Sequence, residues 1–176
     1  MTPAGHVAVS YIAGRLNQRL VLPAVLAGGV LPDCDFIFFF FDWFNGIHRL
    51  VSHNALFILL ASLAAASLAP RGTKAAAAVS LFVGGAAHLL IDSAMDVNPT
   101  NGIGIALFWP FSSQFYSPFN LFEASAGAPG WSQPAAMIRL LAPGMLYEVP
   151  FYTGAFLLWK GKRGESSKGQ SGAARR

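Results

Sequence analysis

The sequence predicts an all-α fold, a multi-pass helical membrane bundle whose short helices are joined as hairpins and whose polar residues meet at one membrane face. The first reason is composition. Hydrophobic residues make up 54% of the chain and charged residues 11%, and the mean hydropathy is +0.48, which is too apolar for an ordinary soluble domain. The second reason is that the remaining polar residues concentrate in short islands, as expected where lipid-facing charge is unfavourable. A soluble helical domain with a large core is the alternative.

The first two helices are expected to form a hairpin. Helix formation begins near Pro3, and His6 lies on a face of small and polar side chains. The residues from Arg15 to Arg19 form a polar turn, after which Leu20 to Leu31 return as the second helix. Pro32 ends that helix because proline disfavours the α conformation at the residue before it.

An acidic pair and an aromatic segment follow this hairpin. Asp33 and Asp35 are expected on an extended turn, where a spacing of two residues points both carboxylates the same way. The run from Phe36 to Phe44 is dense in aromatic residues, which is typical of a segment at the membrane interface. Cys34 is the only cysteine, so it has no intrachain disulfide partner. It is interpreted as a buried spectator thiol, with contact to a metal between the two aspartates as the alternative.

A second hairpin is predicted in the middle of the chain. One helix runs from Ala55 to Ala69, a polar turn spans Arg71 to Lys74, and Ala75 to Ile91 returns. The return brings back His88 and Asp92, which are four residues apart and share one helical face. Both side chains should therefore reach the level of the HRLVSHN motif that precedes the hairpin.

The HRLVSHN motif holds two further histidines and a cation. His48 and His53 are five residues apart, so they converge only if a helix begins between them, with Ser52 as the N-cap. Arg49 lies between candidate metal ligands, where a cation is repelled unless an anion joins it. This position favours an anionic substrate held by the guanidinium. The alternative is a salt bridge from Arg49 to Asp33, Asp35 or Asp42.

The last third of the chain is expected to cover and anchor the bundle. The stretch from Asn98 to Phe119 is predicted to fold over its polar end, and Ala135 to Trp159 to form a final helix in which Glu148 reaches the interface. Six of the twelve basic residues, with one acid, lie from Lys160 to Arg176. This Gly/Ser-rich tail, residues 160–176, is predicted to be disordered and lacks the aromatic residues of a nucleic-acid site. Residues 1–159 then form a single helical membrane domain.

The basic residues also predict an orientation. Most of them lie on turns or in the tail, opposite the polar islands: Arg15, Arg19, Arg71, Lys74, Lys160, Lys162 and Arg163. Because basic segments beside membrane helices stay inside the cell, these turns and the tail are expected in the cytoplasm. The polar islands are then expected at the outer, periplasmic face.

The polar islands point to a metal site. All four histidines lie in them, together with Asp33, Asp35 and Asp92. Imidazole and carboxylate are the ligands that zinc and manganese accept in proteins. The candidates are more numerous than the ligands of one tetrahedral zinc, so one or two ions are expected, and a binuclear centre fits the number better.

The order of the motifs also resembles a known family. From Thr2 to Phe111 the chain carries TPxxH, GxLPDxD, HRxxSHN, HxxxD and WPF. This set resembles the inner-membrane proteins described as membrane-bound, metal-dependent hydrolases, some of them under DNA-damage (SOS) control, in which serine is common at the position of Asn54. The resemblance implies a polytopic helical protein with metal ligands at His6, Asp33, Asp35, His48, His53, His88 and Asp92. Less closely, the chain resembles the zinc-dependent phospholipase C and single-strand nuclease superfamily.

Together these patterns predict a membrane-embedded, metal-dependent hydrolase. Its substrate would be an ester or a phosphoester, including lipid esters, attacked by a metal-bound hydroxide. Asp35 would accept a proton, and Arg49 or a second metal would stabilise the anion. The alternatives are a metal transporter or sensor, and a structural protein with a buried polar network. The candidate ligands lie at helix ends and turns rather than at the bilayer midplane, which favours the enzyme over the transporter.

Overall fold

A computed structural model describes residues 1–38, 40–41, 43–95, 103–118 and 134–173. These residues form α-helices and a 3-10 helix, and the only β pairing among them is an isolated bridge between Ile105 and Tyr116. The elements are α1 (Pro3–Leu16), α2 (Leu22–Val30), the 3-10 helix (Leu31–Phe38), α3 (Phe44–Ile47), α4 (Ala55–Leu68), α5 (Lys74–Ala94) and α6 (Pro134–Ala173). The all-α prediction is confirmed.

Two helices near the candidate ligands begin at side-chain caps. The Thr2 hydroxyl accepts a hydrogen bond from the Gly5 amide at 3.1 Å and starts α1. At α4, Asn54 Oδ1 accepts from the Phe57 amide at 2.8 Å. The prediction of Ser52 as the cap of α4 is therefore wrong, because Asn54 satisfies the free amide of the first turn.

Helix α5 packs against α2 without intervening side chains. A Cβ atom added at Gly28 would collide with the carbonyl oxygen of Leu81, and one at Gly84 with the carbonyl oxygen of Val25. The two backbones are thus in direct contact, which only glycine permits. This close approach brings the C-terminal end of α2 against the half of α5 that carries His88.

Buried and exposed side chains are distributed opposite to those of a water-soluble protein. Leu60 and Leu90 are 56% and 60% exposed, whereas His53 and His88 are 0% and 1% exposed. Among the described residues, α5 is the one helix long and apolar enough to cross a membrane by length and composition, and α4 is a shorter apolar helix. The multi-pass arrangement stays a prediction.

The segment predicted to cover the polar end, Asn98 to Phe119, is described for residues 103–118. It lies against the start of α4, where the Ala55 amide donates to the Leu107 carbonyl at 3.0 Å. It also contacts the end of α5, where the Ser117 hydroxyl donates to the Ser93 carbonyl at 2.5 Å. These residues therefore cover the end of the α4–α5 hairpin that bears the candidate ligands.

Helix α6 is tied to the start of α1 through a buried carboxylate. Glu148, predicted at the interface, is instead buried and accepts hydrogen bonds from the Thr2 amide, the Thr2 hydroxyl and the Tyr152 hydroxyl, each at 2.6 Å. The correction follows from these three donors, which replace water around the charge. Helix α6 continues to Ala173, so residues 160–173 are helical although the sequence predicted disorder there. The domain boundary at residue 160 stays a prediction.

Candidate metal centre

Four side chains from separate parts of the chain converge in the protein interior. Asp33 comes from the 3-10 helix, His53 from the loop before α4, and His88 and Asp92 from α5, and all four are buried. One ligand atom from each lies within 4.8 Å of the others. We call these residues the inner cluster.

The spacing of the inner cluster matches the edges of a metal tetrahedron. His53 Nε2 is 3.2 Å from His88 Nε2, 3.5 Å from Asp33 Oδ1 and 3.4 Å from Asp92 Oδ2. His88 Nε2 is 3.7 Å from Asp33 Oδ1 and 3.2 Å from Asp92 Oδ2. A tetrahedral zinc with bonds of about 2.0–2.2 Å holds its ligand atoms roughly 3.3–3.6 Å apart. Five of the six distances among the four ligand atoms are therefore close to these edges, and the sixth, between Asp33 and Asp92, is within 4.8 Å.

Both inner-cluster histidines are fixed by a hydrogen bond on the far side of the ring. His88 Nδ1 lies 2.8 Å from the Gly29 carbonyl oxygen, so Nδ1–H donates to it. His53 Nδ1 lies 3.0 Å from Ser52 Oγ, which itself donates to Asp35 Oδ2 at 2.8 Å, so Nδ1–H donates here too. In the neutral ring each Nε2 then carries a lone pair directed at the cluster. Such outer hydrogen bonds orient histidine ligands in metal sites.

The electrostatics of the cluster favour a positive charge at its centre. Burial would lower the pKa of His53, but the hydrogen bonds and charges of Asp33 and Asp92 outweigh it and raise the pKa above the ordinary value of 6.5. A cation is thus favoured where two carboxylates and an imidazole meet in a region shielded from water. A divalent metal ion bound between these groups would supply that positive charge.

His6 lies beside the inner cluster rather than within it. Its ring stacks on the His88 ring, with centroids 3.6 Å apart and an angle of 16°. His6 Nε2 is 3.1 Å from Asp92 Oδ1, an ion-pair distance without hydrogen-bond alignment. Among the described residues, His6 Nδ1 and Asp33 Oδ2 are buried polar atoms without a hydrogen-bond partner. Such atoms are uncommon in protein interiors and are expected where a ligand binds.

A second set of polar side chains, the outer group, consists of Asp35, His48 and Ser52. His48 Nδ1 lies 3.1 and 3.0 Å from the two carboxylate oxygens of Asp35. Burial would raise the pKa of Asp35, but the hydrogen bonds from His48 and Ser52 lower it below the ordinary value. Asp35 is thus an ionised acceptor that holds Ser52, and through it His53.

The expectation that Asp33 and Asp35 point the same way is wrong. They lie in the 3-10 helix, where three residues make a turn, so positions two apart differ by about 120° in direction. Asp33 consequently faces the inner cluster and Asp35 faces His48.

Asp35, His48 and His53 also form a group of possible ligands, but His53 offers it only Nδ1, which already contacts Ser52. Of the seven predicted ligands, four converge in the inner cluster and His6 lies beside it. Asp35 and His48 belong to the outer group, which contacts His53 through Ser52.

The two histidines of the HRLVSHN motif meet in a way that the sequence did not anticipate. Helix α4 begins at Ala55, after both of them, yet the rings of His48 and His53 are 5.0 Å apart. The chain reverses through Arg49, whose φ of 70° lies in the left-handed region that non-glycine residues rarely adopt. Strained residues of this kind concentrate at functional sites. The predicted partner Asp42 lies outside the described residues.

Three contributors to the site were missed by sequence reasoning. Ser52 was interpreted as a cap, although its position between candidate ligands was a usable signal. Asn54 anchors the loop by donating to the Leu50 and Val51 carbonyls at 2.7 and 2.8 Å. Gly29 contributes only its carbonyl oxygen, for which a sequence carries no side-chain signal.

These features define a class: an all-helical protein that exposes leucine, buries histidine and aspartate, and offers a membrane-length helix. The chain belongs to the YdjM inner membrane protein family, whose model matches residues 1–162. No curated protein and no solved structure matches it. The family supports the predicted inner-membrane location, while the hydrolase activity and the relation to the phospholipase C superfamily stay predictions.

Proposed function

We propose that the protein is a metal-dependent hydrolase of the inner membrane that holds one divalent ion, preferably zinc, in the inner cluster. The observation that carries the proposal is the set of five ligand-atom distances of 3.2–3.7 Å among Asp33, His53, His88 and Asp92. Two imidazoles and two carboxylates suit zinc, and manganese is the second choice because it also accepts mixed nitrogen and oxygen ligands. One ion is proposed rather than the two that the number of candidate ligands favoured, because a second ion at Asp35 and His48 would need His53 Nδ1, which already contacts Ser52.

The bound ion and the side chains of the protein have different roles in the proposed reaction. A divalent ion held by these four groups would have a filled tetrahedron, so it would act as a Lewis acid and lower the pKa of a water molecule only by accepting that water as a fifth ligand. Ser52 and Asp35 hold His53 in one orientation, and Gly29 does the same for His88. Asp35 serves here as a positioning residue, and its predicted role as a proton acceptor is tested by Asp35→Asn, which keeps its shape but removes its charge. Arg49 is proposed to bind the anionic part of the substrate.

The placement of the inner cluster favours an enzyme over a transporter. His88 and Asp92 lie in the last two turns of α5, a helix of 21 residues. At about 1.5 Å per residue they are near one end of a membrane-length helix, whereas transporter sites lie near the bilayer midplane. Basic turns lie at the other end of α5, so we place the inner cluster at the periplasmic face and residues 160–176 in the cytoplasm. Membrane lipids are then the nearest source of ester and phosphoester substrates.

The first experiment measures metal in the purified full-length protein by mass spectrometry, before and after dialysis against zinc or manganese. About one ion per chain is expected for the parent, much less for His88→Ala and Asp33→Asn, and an undiminished amount for the control Ser62→Ala, whose buried hydroxyl donates within its own helix. A parent that folds but binds neither metal refutes the proposal and favours a structural polar network. Bound metal without turnover of any carboxyl-ester or phosphoester lipid favours a sensor or transporter.

A further inference from the structure

An apolar cavity of about 620 Å³ lies between α4, α5 and the segment 103–118. Ile58, Leu89 and Ile105 form its floor and are themselves the buried hydrophobic core. None of the described residues that line it is charged. Phe82 and Leu90 at its rim are 45% and 60% exposed, so the cavity opens on the lateral apolar surface of α5.

The cavity and the inner cluster share the same two turns of α5. His88 and Asp92 are each followed by a cavity residue, Leu89 and Ser93. Successive helical residues differ by about 100° in direction, so the two sites occupy neighbouring faces of one helix. The start of α4 provides a second connection, because cavity residue Ala55, the first residue of α4, follows His53 of the preceding loop by two positions.

We propose that this cavity binds the acyl chain of a lipid and thereby presents the lipid's ester or phosphoester group to the inner cluster. This inference rests on the proposed hydrolase function and assigns its substrate class. The volume lies in the range of ligand pockets, and an uncharged lining suits a hydrocarbon chain and disfavours an anionic headgroup. The opening among exposed apolar side chains gives a lipid a route from the bilayer.

The test uses the full-length protein in lipid nanodiscs with cis-parinaric acid, a fatty acid that becomes fluorescent when buried. Saturated fatty acids of increasing length compete at equal mole fraction in the nanodisc bilayer, with empty nanodiscs as the blank, and competition should be strongest at the chain length that fills the cavity and weaker beyond it. Ala86→Trp places a large ring in the cavity wall and should weaken probe binding at least tenfold. Ala75→Trp, the same substitution at an exposed position of the same helix, should not.

A second measurement does not depend on any variant. A photoreactive fatty acid should cross-link to the parent mainly in residues 82–93 and 103–118, and cross-links spread evenly over the exposed leucines of α4 would overturn the inference. The inference also fails if Ala86→Trp binds the probe as the parent does, or if it instead dissociates an oligomer, which would assign the cavity to a second copy. Metal content is measured in parallel. Probe binding by a parent without metal would refute the hydrolase while supporting the acyl site.

Discussion

Removal of the Ser52 hydroxyl should weaken metal binding although Ser52 does not touch the inner cluster. Its Oγ lies 3.0 Å from His53 Nδ1 and donates to Asp35 Oδ2 at 2.8 Å. In Ser52→Ala the imidazole loses its acceptor, so the proton can move to Nε2 and the ring can turn. Loss of such an orienting partner weakens metal affinity about 10–100-fold, or roughly 1.4–2.7 kcal/mol.

The measurement is a zinc titration of the metal-free protein against a chromophoric chelator. Ser62→Ala is the matched control, because Ser62 is also buried but donates only to the Ile58 carbonyl of its own helix, at 2.7 Å. Ser52→Thr keeps a hydroxyl and should recover most of the affinity. Equal zinc affinities for Ser52→Ala and Ser62→Ala would refute the argument that Ser52 orients His53.

Three further predictions follow from the packing, the charges and the orientation. Gly84→Ala should force α2 and α5 apart and lower both thermal stability and metal content, whereas Gly161→Ala, which meets no atom within 4 Å, should change neither; unchanged metal in both would disprove the packing argument. Burial lowers the pKa of His53, but the carboxylates outweigh it and raise the pKa above 6.5, so protons compete with the metal, and zinc affinity should increase as the pH rises past 6.5 and through the raised pKa. A pH-independent affinity would contradict this account. With the native cysteine replaced, Gln114→Cys should react with an impermeant thiol reagent on intact spheroplasts and Thr73→Cys should not, and the opposite pattern would place the site in the cytoplasm.

The sequence was most informative where periodicity decides the structure. The spacing of His88 and Asp92 on one helical face, and the polar turn at residues 71–74, were enough to predict the α4–α5 hairpin and the level at which its ligands lie. Composition likewise predicted the exposure of leucine and the burial of polar groups.

The remaining features depend on competition between local alternatives that a sequence leaves open. Ser52 and Asn54 are both good helix caps, and tertiary contacts decided in favour of Asn54. The acidic pair around Cys34 suits a turn or a 3-10 helix, and this choice determines whether Asp33 and Asp35 share a direction. The contribution of the Gly29 carbonyl follows only from the backbone contact between α2 and α5.

The link between Glu148 and Thr2 means that parts of the site are synthesised at different times. The residues of the inner cluster, and the helices α2 and α5 against which α1 packs, are all synthesised by the time Ala94 is made, whereas the Glu148 carboxylate that accepts from Thr2 follows later. At about 5–20 residues per second, roughly 3–11 s separate the synthesis of Asp92 from that of Glu148. During that interval the chain already contains the helices that pack on α1 but not the acceptor for the Thr2 amide and hydroxyl. The bundle is therefore closed at Thr2 only after every residue of the inner cluster has been made.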